Sequence, residues 1–368
     1  MRIVFVLAGG AIAPTGGFRI IAGYANELCR RGHDVTLIAP KLVGAKPKTL
    51  RGKVRQAFFR SRFVTERNGP FLEEAEISVR VVEGKRVLSA EDFPDADIVI
   101  ATWWETAEWI NNLSDHYAKV HFVQGYEAFP YLPVDRVRAV YELPFRKIAV
   151  SQWLRSKLIN EHASTGIEVI ENAIDFEVFS TPEKKKQARP AVGFLYSVAA
   201  MKNSALAIEV CGRLKERFED LRVLSFGSHK PRGPGKTPSW LEFSENPSPQ
   251  KIREIYNACD VWLFTSDEEG FGLPILEAMA AGTPVVATRA GAAPQLVHEG
   301  NGVLVDADAA TITNQTEKIL NLGADDWGKM SEECLKTAQR RNWKDATDDF
   351  ERVLKDTLIQ TQAKLTKN

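Results

Sequence analysis

Ser266-Asp-Glu-Glu-Gly-Phe-Gly-Leu-Pro-Ile-Leu-Glu-Ala-Met-Ala-Ala-Gly-Thr-Pro-Val-Val-Ala287 is the stretch on which the fold of this chain turns. Val261 to Thr265, just before it, is an apolar run that reads as a strand, Pro274 to Ala281 as a helix, and Pro284 to Thr288 as the next strand. Between the first strand and the helix lies a glycine loop. Such a loop leads into the helix at Pro274 and aims first-turn backbone N–H groups into the crevice at the strand ends, which is an anion cradle. Glu269 precedes the loop and Glu277 reads as part of the first helical turn, so two carboxylates flank one corner. A carboxylate accepts paired hydrogen bonds from vicinal hydroxyls, so one suits a ribose diol and the other a sugar diol. Either glutamate alone reads as a helix-end charge or a solvated loop residue. The ordered combination of strand, glycines and glutamates argues for a site.

The same alternation extends in both directions. Upstream, Ala191 to Tyr196 reads as a strand, Ala205 to Phe218 as a helix and Leu221 to Phe226 as a strand, while Ser248 and Pro249 cap a helix running to Cys259. At the start, Ile3 to Ala8 is a near-continuous apolar run. A helix follows from Phe18 to Arg31 and a strand from Asp34 to Ala39, which makes a β-α-β unit rather than a leader peptide. Further strands are expected at Ser78 to Val82, Asp97 to Ala101, Lys119 to Gln124 and Lys147 to Val150. Continuous apolar runs of this kind belong to parallel sheets covered on both faces. Thr181 to Arg189 is polar and lysine-rich and reads as an exposed linker, and the chain from about Trp327 reads as helical. The expectation is an α/β protein with domains at 1–180 and 181–345, and a C-terminal helix, 346–368, returning to the first.

Composition narrows the function classes. The 368 residues suit two domains, and 44% hydrophobic with 26% charged residues marks a folded globular chain. Lysine plus arginine equals aspartate plus glutamate at 48 each, so no overall field draws the protein to nucleic acid. Cys29, Cys211, Cys259 and Cys334 are scattered and read as reduced thiols. No stretch reaches the ~20 apolar residues of a membrane span. A cytoplasmic protein is expected.

The motif resembles the E-x7-E signature of the retaining family-4 glycosyltransferases, with Glu269 and Glu277 as its two ends. The resemblance extends to Gly16-Gly17, Arg31-Gly-His-Asp-Val35, Ala149-Val-Ser151, Val169-Ile-Glu-Asn-Ala-Ile-Asp175 with Phe179, and Tyr256 to Asp260. It implies a GT-B fold, two facing Rossmann-like doubly wound domains with the donor cleft between them, and a nucleotide diphosphate sugar as donor substrate without a further cofactor. Carried over by position, Glu269 contacts the donor sugar and Glu277 the ribose. Gly270, Phe271, Gly272 and Leu273 bring N–H groups to the diphosphate, and Lys202 neutralises it; Gly16 and Gly17 complete the donor set. Trp103, Trp104, Gln124, Tyr126 and Glu127 fall on the acceptor side, with at least one of the tryptophans read as core. The phrase from His121 to Glu127, Phe-Val-Gln-Gly-Tyr-Glu after the histidine, is similar to that of some surface-polysaccharide rhamnosyltransferases.

Departures from the family pattern are also legible. The arginine usual five residues before the lysine is Ser197, so Arg289 is the candidate replacement cation, and the usual histidine near the sugar is replaced by Gln124, with His121 inside the strand. Asp95-Ala-Asp97 and Asp306-Ala-Asp308 read as turns rather than a metal site. The acceptor is expected to be a hydroxyl of a glycan or of a lipid-linked carrier. Lys41 to Arg67 holds nine cations against the single acid Glu66, interleaved with Phe58, Phe59 and Phe63, which suits either peripheral contact with an anionic membrane or a solvated basic face. The competing readings are a catalytically silent sugar-nucleotide-binding protein of the same fold and, less well matched, a phosphorylase or epimerase on the same plan.

Overall fold

The computed structural model describes residues 1–8, 16–41, 71–74, 76–84, 87–181, 184–231 and 238–366. The chain divides into two compact units, Met1–Asn172 with Trp343–Asn368, and Ala173–Asn342.

Unit 1 contains strands β1 (Arg2–Val6), β2 (Asp34–Pro40), β3 (Ser78–Val82), β4 (Ile98–Ala101), β5 (Ala118–Val123), β6 (Arg146–Ala149) and β7 (Ile167–Val169). Its helices are α1 (Gly16–Arg30), α2 (Trp104–Asn111), α3 (Val134–Glu142) and α4 (Gln152–His162), and the C-terminal helix, α12 (Trp343–Leu365), belongs to it as well. The strands form one parallel sheet in the order β3-β2-β1-β4-β5-β6-β7. The order reverses between β1 and β4, and there the loops leaving the two strand ends part and open a crevice.

Unit 2 begins with the short helix α5 (Phe176–Phe179) and holds β8 (Ala191–Leu195), α6 (Ser204–Arg217), β9 (Arg222–Gly227), β10 (Leu241–Glu245) and α7 (Pro249–Asn257). It continues through β11 (Val261–Phe264), α8 (Leu273–Ala280), β12 (Val285–Thr288), α9 (Ala293–Leu296) and β13 (Gly302–Val305), then α10 (Ala309–Leu320) and α11 (Ala324–Gln339). This sheet is also parallel, in the order β10-β9-β8-β11-β12-β13, and its reversal lies between β8 and β11. Val192, Phe194, Val210, Leu214, Leu263 and Trp327 share one buried core. Apolar residues on both faces of the central strands explain why their sequences do not alternate.

Two expectations need correction. The lysine-rich stretch after Thr181 is not an exposed linker where it is described. Lys185 and Arg189 are exposed, but Lys184 is half-buried and its ammonium donates to the carbonyls of Tyr256, Asn257 and Cys259, and Lys186 donates to those of Leu320 and Leu322. These lysines satisfy carbonyls at the ends of α7 and α10, as cations do at helix C-termini. The other concerns strands that the reading did not anticipate: β7, β10 and β13 are short edge strands, partly covered, and β7 and β10 mix charged with apolar residues. The basic segment from Lys46 to Arg67 lies outside the described residues, whereas Lys41 pairs with Glu83. Among the described residues, no helix is long and apolar enough to cross a membrane.

Helix α12 is held to unit 1 by packing and charge. Phe350 stacks on Tyr24 at 4.3 Å, and Arg31 reaches Asp348 at 2.8 Å and Glu351 at 3.0 Å. Burial would raise the Glu351 carboxyl, but hydrogen bonds from Lys355, Arg31 and His33 outweigh it and hold it at about 2. The tightest contact is at Gly23 of α1, where a Cβ would lie 2.3 Å from the Trp343 ring. Gly23→Ala is therefore expected to lower stability by about 1–3 kcal/mol through overpacking, despite alanine's better helix propensity. Denaturant unfolding of the variant checks this; a gain in midpoint would show that Trp343 yields freely.

Candidate active site

The site in unit 2 forms where its strand order reverses. After β8 the chain passes Ser197, whose N–H donates to Ser204 Oγ at 2.9 Å, and makes a 3-10 turn at Ala200–Lys202 before Asn203 caps α6. After β11 it enters the loop from Thr265 to Gly272. The two segments are joined by backbone and side chain: Asp267 N–H donates to Met201 O at 2.8 Å, Thr265 Oγ1 to the carbonyls of Lys202 and Asn203, and Asn203 Nδ2 to Asp267 Oδ1 at 3.1 Å. These bonds bring Lys202 against Glu269, 67 residues later, in an ion pair whose side chains are 23% and 17% exposed. Ser266 Oγ donates to the same Glu269 oxygen at 3.5 Å.

The glycine loop then starts α8. Gly272 sits at φ 99°, a left-handed conformation that strains any residue with a Cβ, and a Cβ there would lie 3.0 Å from Phe264. Phe271 is buried, and its carbonyl accepts from Ala292 N–H at 2.7 Å, so the segment after β12 braces the loop. Arg289 stands at the start of that segment, 60% exposed and 3.5 Å from Asp306. The geometry thus gathers Lys202, Glu269, Gly270, Phe271, Gly272 and Leu273 at one corner, while Arg289 lies at the surface beside it.

Glu277 differs from its sequence reading. The helix begins at Leu273 and has no acidic residue in its first turn, so Glu277 lies in the second. It is buried, and Tyr256 O–H donates to it at 2.8 Å. Tyr256 is held by Trp262 at 4.4 Å and Phe179 at 6.4 Å. A carboxylate that is buried and gripped by a tyrosine is preset in position, which a mere complement to the helix dipole would not need. The Asp-x-Asp strings have structural partners: Asp308 caps α10 at Thr311 N, Asp306 pairs with Arg289, and Asp95 and Asp97 grip Arg2.

In unit 1 the crevice at the β1/β4 reversal is a cavity of about 280 Å³ lined by residues including Gly17, Thr102, Trp103, Gln124, Glu127 and Phe129. Gly17 lies beside the Gln124 amide, so a Cβ there would be 3.6 Å from Oε1. Gly16 precedes it as the first residue of α1. Glu127 is buried and accepts from Trp104 N–H at 2.7 Å; burial still pushes its carboxyl well above the usual range. Trp104 is core, beneath the Arg136 guanidinium, whereas Trp103 faces the cavity. Tyr126 is turned elsewhere, its hydroxyl 2.7 Å from Glu161 and 3.0 Å from His162 and its ring beneath the Lys157 ammonium. His121 is wholly buried in β5 against Tyr141, and burial with nearby Lys147 pushes its imidazole down to about 3. Sequence reasoning missed Tyr256 and Phe129; the tyrosine was within a quoted motif, and the phenylalanine had no pattern to mark it.

Tyr256→Phe tests the buried grip directly. Removing one hydroxyl is expected to cost about 0.5–1.5 kcal/mol, with fold retained. The unfolding midpoint in urea reads it, and no change would mean that Glu277 is held by its other surroundings.

Known proteins resemble this chain in part of its sequence and in its fold. Residues 189–322 match the family model described as glycosyl transferases group 1. A D-inositol 3-phosphate glycosyltransferase of Corynebacterium urealyticum is 34% identical over 168 residues, 38% of this chain and 39% of the relative. The chain thus spans about two fifths of that relative's length in the matched region. Among solved structures, sucrose-phosphate synthase from Thermosynechococcus elongatus superposes with a TM-score of 0.77 at 15% identity, covering 98% of this chain and 100% of that one. Anabaena HepE, solved in complex with UDP-glucose, gives 0.70 at 16% identity, covering 97% and 100%. Identities this low establish the fold alone. The chain has the two-sheet GT-B fold of these structures, and residues 189–322 of its second unit are similar to the group 1 glycosyl transferases.

Proposed function

We propose that the protein transfers a sugar, with retention of anomeric configuration, from a nucleotide diphosphate sugar to a hydroxyl of a glycan or lipid-linked acceptor in cell-surface polysaccharide or glycoconjugate synthesis. The observation that carries this reading is the corner of unit 2 where the Lys202–Glu269 pair adjoins the Gly270–Gly272 loop and buried Glu277. A nucleotide diphosphate sugar asks for a diol acceptor at the ribose, donors at the diphosphate and an acceptor at the sugar, and these residue types match that order. In this reading Glu277 holds the ribose, the N–H groups of Phe271, Gly272 and Leu273 meet the diphosphate, Lys202 offsets its charge and Glu269 receives sugar hydroxyls.

The chemical problem is departure of a nucleoside diphosphate from an oxocarbenium-like carbon. Fixed charge and oriented N–H groups lower that barrier where negative charge grows. In the retaining mode, the bond from the anomeric carbon to the phosphate oxygen breaks and the acceptor oxygen attacks on the same face. Its proton passes to the departing phosphate. No protein nucleophile is needed, and metal-independence follows if Lys202 and the loop meet the charge alone. With Ser197 where the family has arginine, Arg289, at the start of the loop's bracing segment, is the proposed substitute. Gly16 and Gly17 complete the donor set, and Trp103, Gln124 and Glu127 face the acceptor.

A thermal-shift panel of nucleoside diphosphates tests the donor site first. A ligand at 100 times its dissociation constant should stabilise the protein by about 2.7 kcal/mol. Because Glu277 is buried, Glu277→Gln is a gentler variant than alanine; it should fold and lose most of that shift, and a full shift in the folded variant would remove Glu277 from the donor site. Radiolabelled donor then separates transfer from the silent binding protein, which would bind nucleotide and neither hydrolyse nor transfer.

EDTA should leave transfer nearly unchanged. Activity abolished by chelator and restored by manganese would instead assign the diphosphate charge to a bound cation.

A further inference from the structure

We infer that Tyr131 and Phe129 form an outer ring-stacking subsite on unit 1, so that the acceptor is a glycan of at least two sugar units. Its terminal ring would occupy the cavity beside Trp103, Gln124 and Glu127, and the next ring would lie on the open face of Tyr131. This rests on the acceptor-side reading proposed above and names the substrate class for it.

Tyr131 is 78% exposed, the most exposed large hydrophobic residue among those described. It is nonetheless fixed in attitude. Its ring stacks on Phe129 with centroids 5.4 Å apart and planes 9° from parallel, and Phe129 itself lines the cavity. The turn beneath is closed by Phe129 N–H to Glu127 O at 2.8 Å and Leu132 N–H to Phe129 O at 2.9 Å. Pro130 and Pro133 restrict it further. The Tyr131 ring thus stands in an offset stack beside Phe129, which itself lines the cavity with Trp103, and presents most of its surface to solvent.

An aromatic face of this kind pairs with the C–H face of a pyranose, while the phenol keeps a polar tip for ring hydroxyls. The polar groups next along the wall, Gln124 and Glu127, have the hydrogen-bonding capacity that sugar hydroxyls need. The other exposed large hydrophobics, Val87, Ile159, Val198, Ile359 and Leu365, belong to other segments, and none lies in the turn from Glu127 to Pro133.

The test uses the full chain and its Tyr131→Ala and Tyr131→Phe variants on a glycan microarray carrying monosaccharides and their oligomers. Wild type should bind oligomers over the matching monosaccharides. Tyr131→Ala should weaken oligomer binding by about fivefold to tenfold and leave monosaccharide binding unchanged, and Tyr131→Phe should retain the preference, since the stacking face remains. Equal signals from wild type and Tyr131→Ala on every glycan, including no signal from either, overturn the inference. So does binding of wild type to phosphatidylcholine vesicles that Tyr131→Ala loses while glycans are ignored. The nucleoside diphosphate thermal shift, run on the same three preparations, reports on unit 2 separately: its absence counts against the donor site and leaves the glycan comparison standing.

Discussion

A single backbone hydrogen bond, Asp267 N–H to Met201 O, ties together the two loops on which the site in unit 2 depends. Loops leaving adjacent strands at a reversal of strand order diverge, and nothing in the sheet itself holds them in register. Here the bond from Asp267, reinforced by Thr265 and Asn203, fixes the turn after β8 against the loop after β11. Lys202 and Glu269 then meet without either side chain having to search for the other. Preorganisation of this sort matters for charge stabilisation, because groups already in place need no reorganisation when charge develops.

The second layer of support is aromatic. Tyr256, Trp262, Phe226 and Phe179 pack edge to face and stacked behind the glycine loop, and the phenol at the centre of this group grips Glu277. The loop in front can then come close to a ligand, since Gly272 allows a backbone turn that a Cβ would obstruct. Rigid aromatics thus hold the carboxylate from behind, and bare backbone forms the side in front, where the proposed diphosphate would lie. Unit 1 uses its own reversal differently. Its cavity is walled by aromatic rings with a few polar groups, a surface suited to a neutral polyhydroxylated ligand more than to a phosphate.

Much of the architecture was legible because the central strands of both units are covered on both faces. Ile3 to Ala8 and Val261 to Thr265 could be read as strands since burial on two sides favours unbroken apolar sequence, and Lys119 to Gln124 was legible from its β-branched and aromatic residues. The edge strands Ile167–Val169 and Leu241–Glu245 carry mixed sequence and so left no such mark, and Gly302–Val305, apolar as it is, spans only four residues. Ser78–Val82 is also an edge strand, but its β-branched residues betrayed it. Lys184 looked like linker because a lysine's sequence context gives no hint of three carbonyls waiting for it.

What the sequence determined by itself was the order of elements, the two parallel sheets and the corner built from a glycine loop between two glutamates. Those follow from local periodicity, turn chemistry and spacing, which are properties of neighbouring residues. Only the tertiary structure decided that Glu277 is buried in the second turn beneath Tyr256, that Lys202 reaches Glu269, that Trp104 and His121 belong to the core, and that Tyr126 turns away while Tyr131 stays in water. Each of these depends on which strand lies beside which and on the direction a side chain takes from a turn, and contacts between residues tens of positions apart are set by packing rather than by sequence spacing.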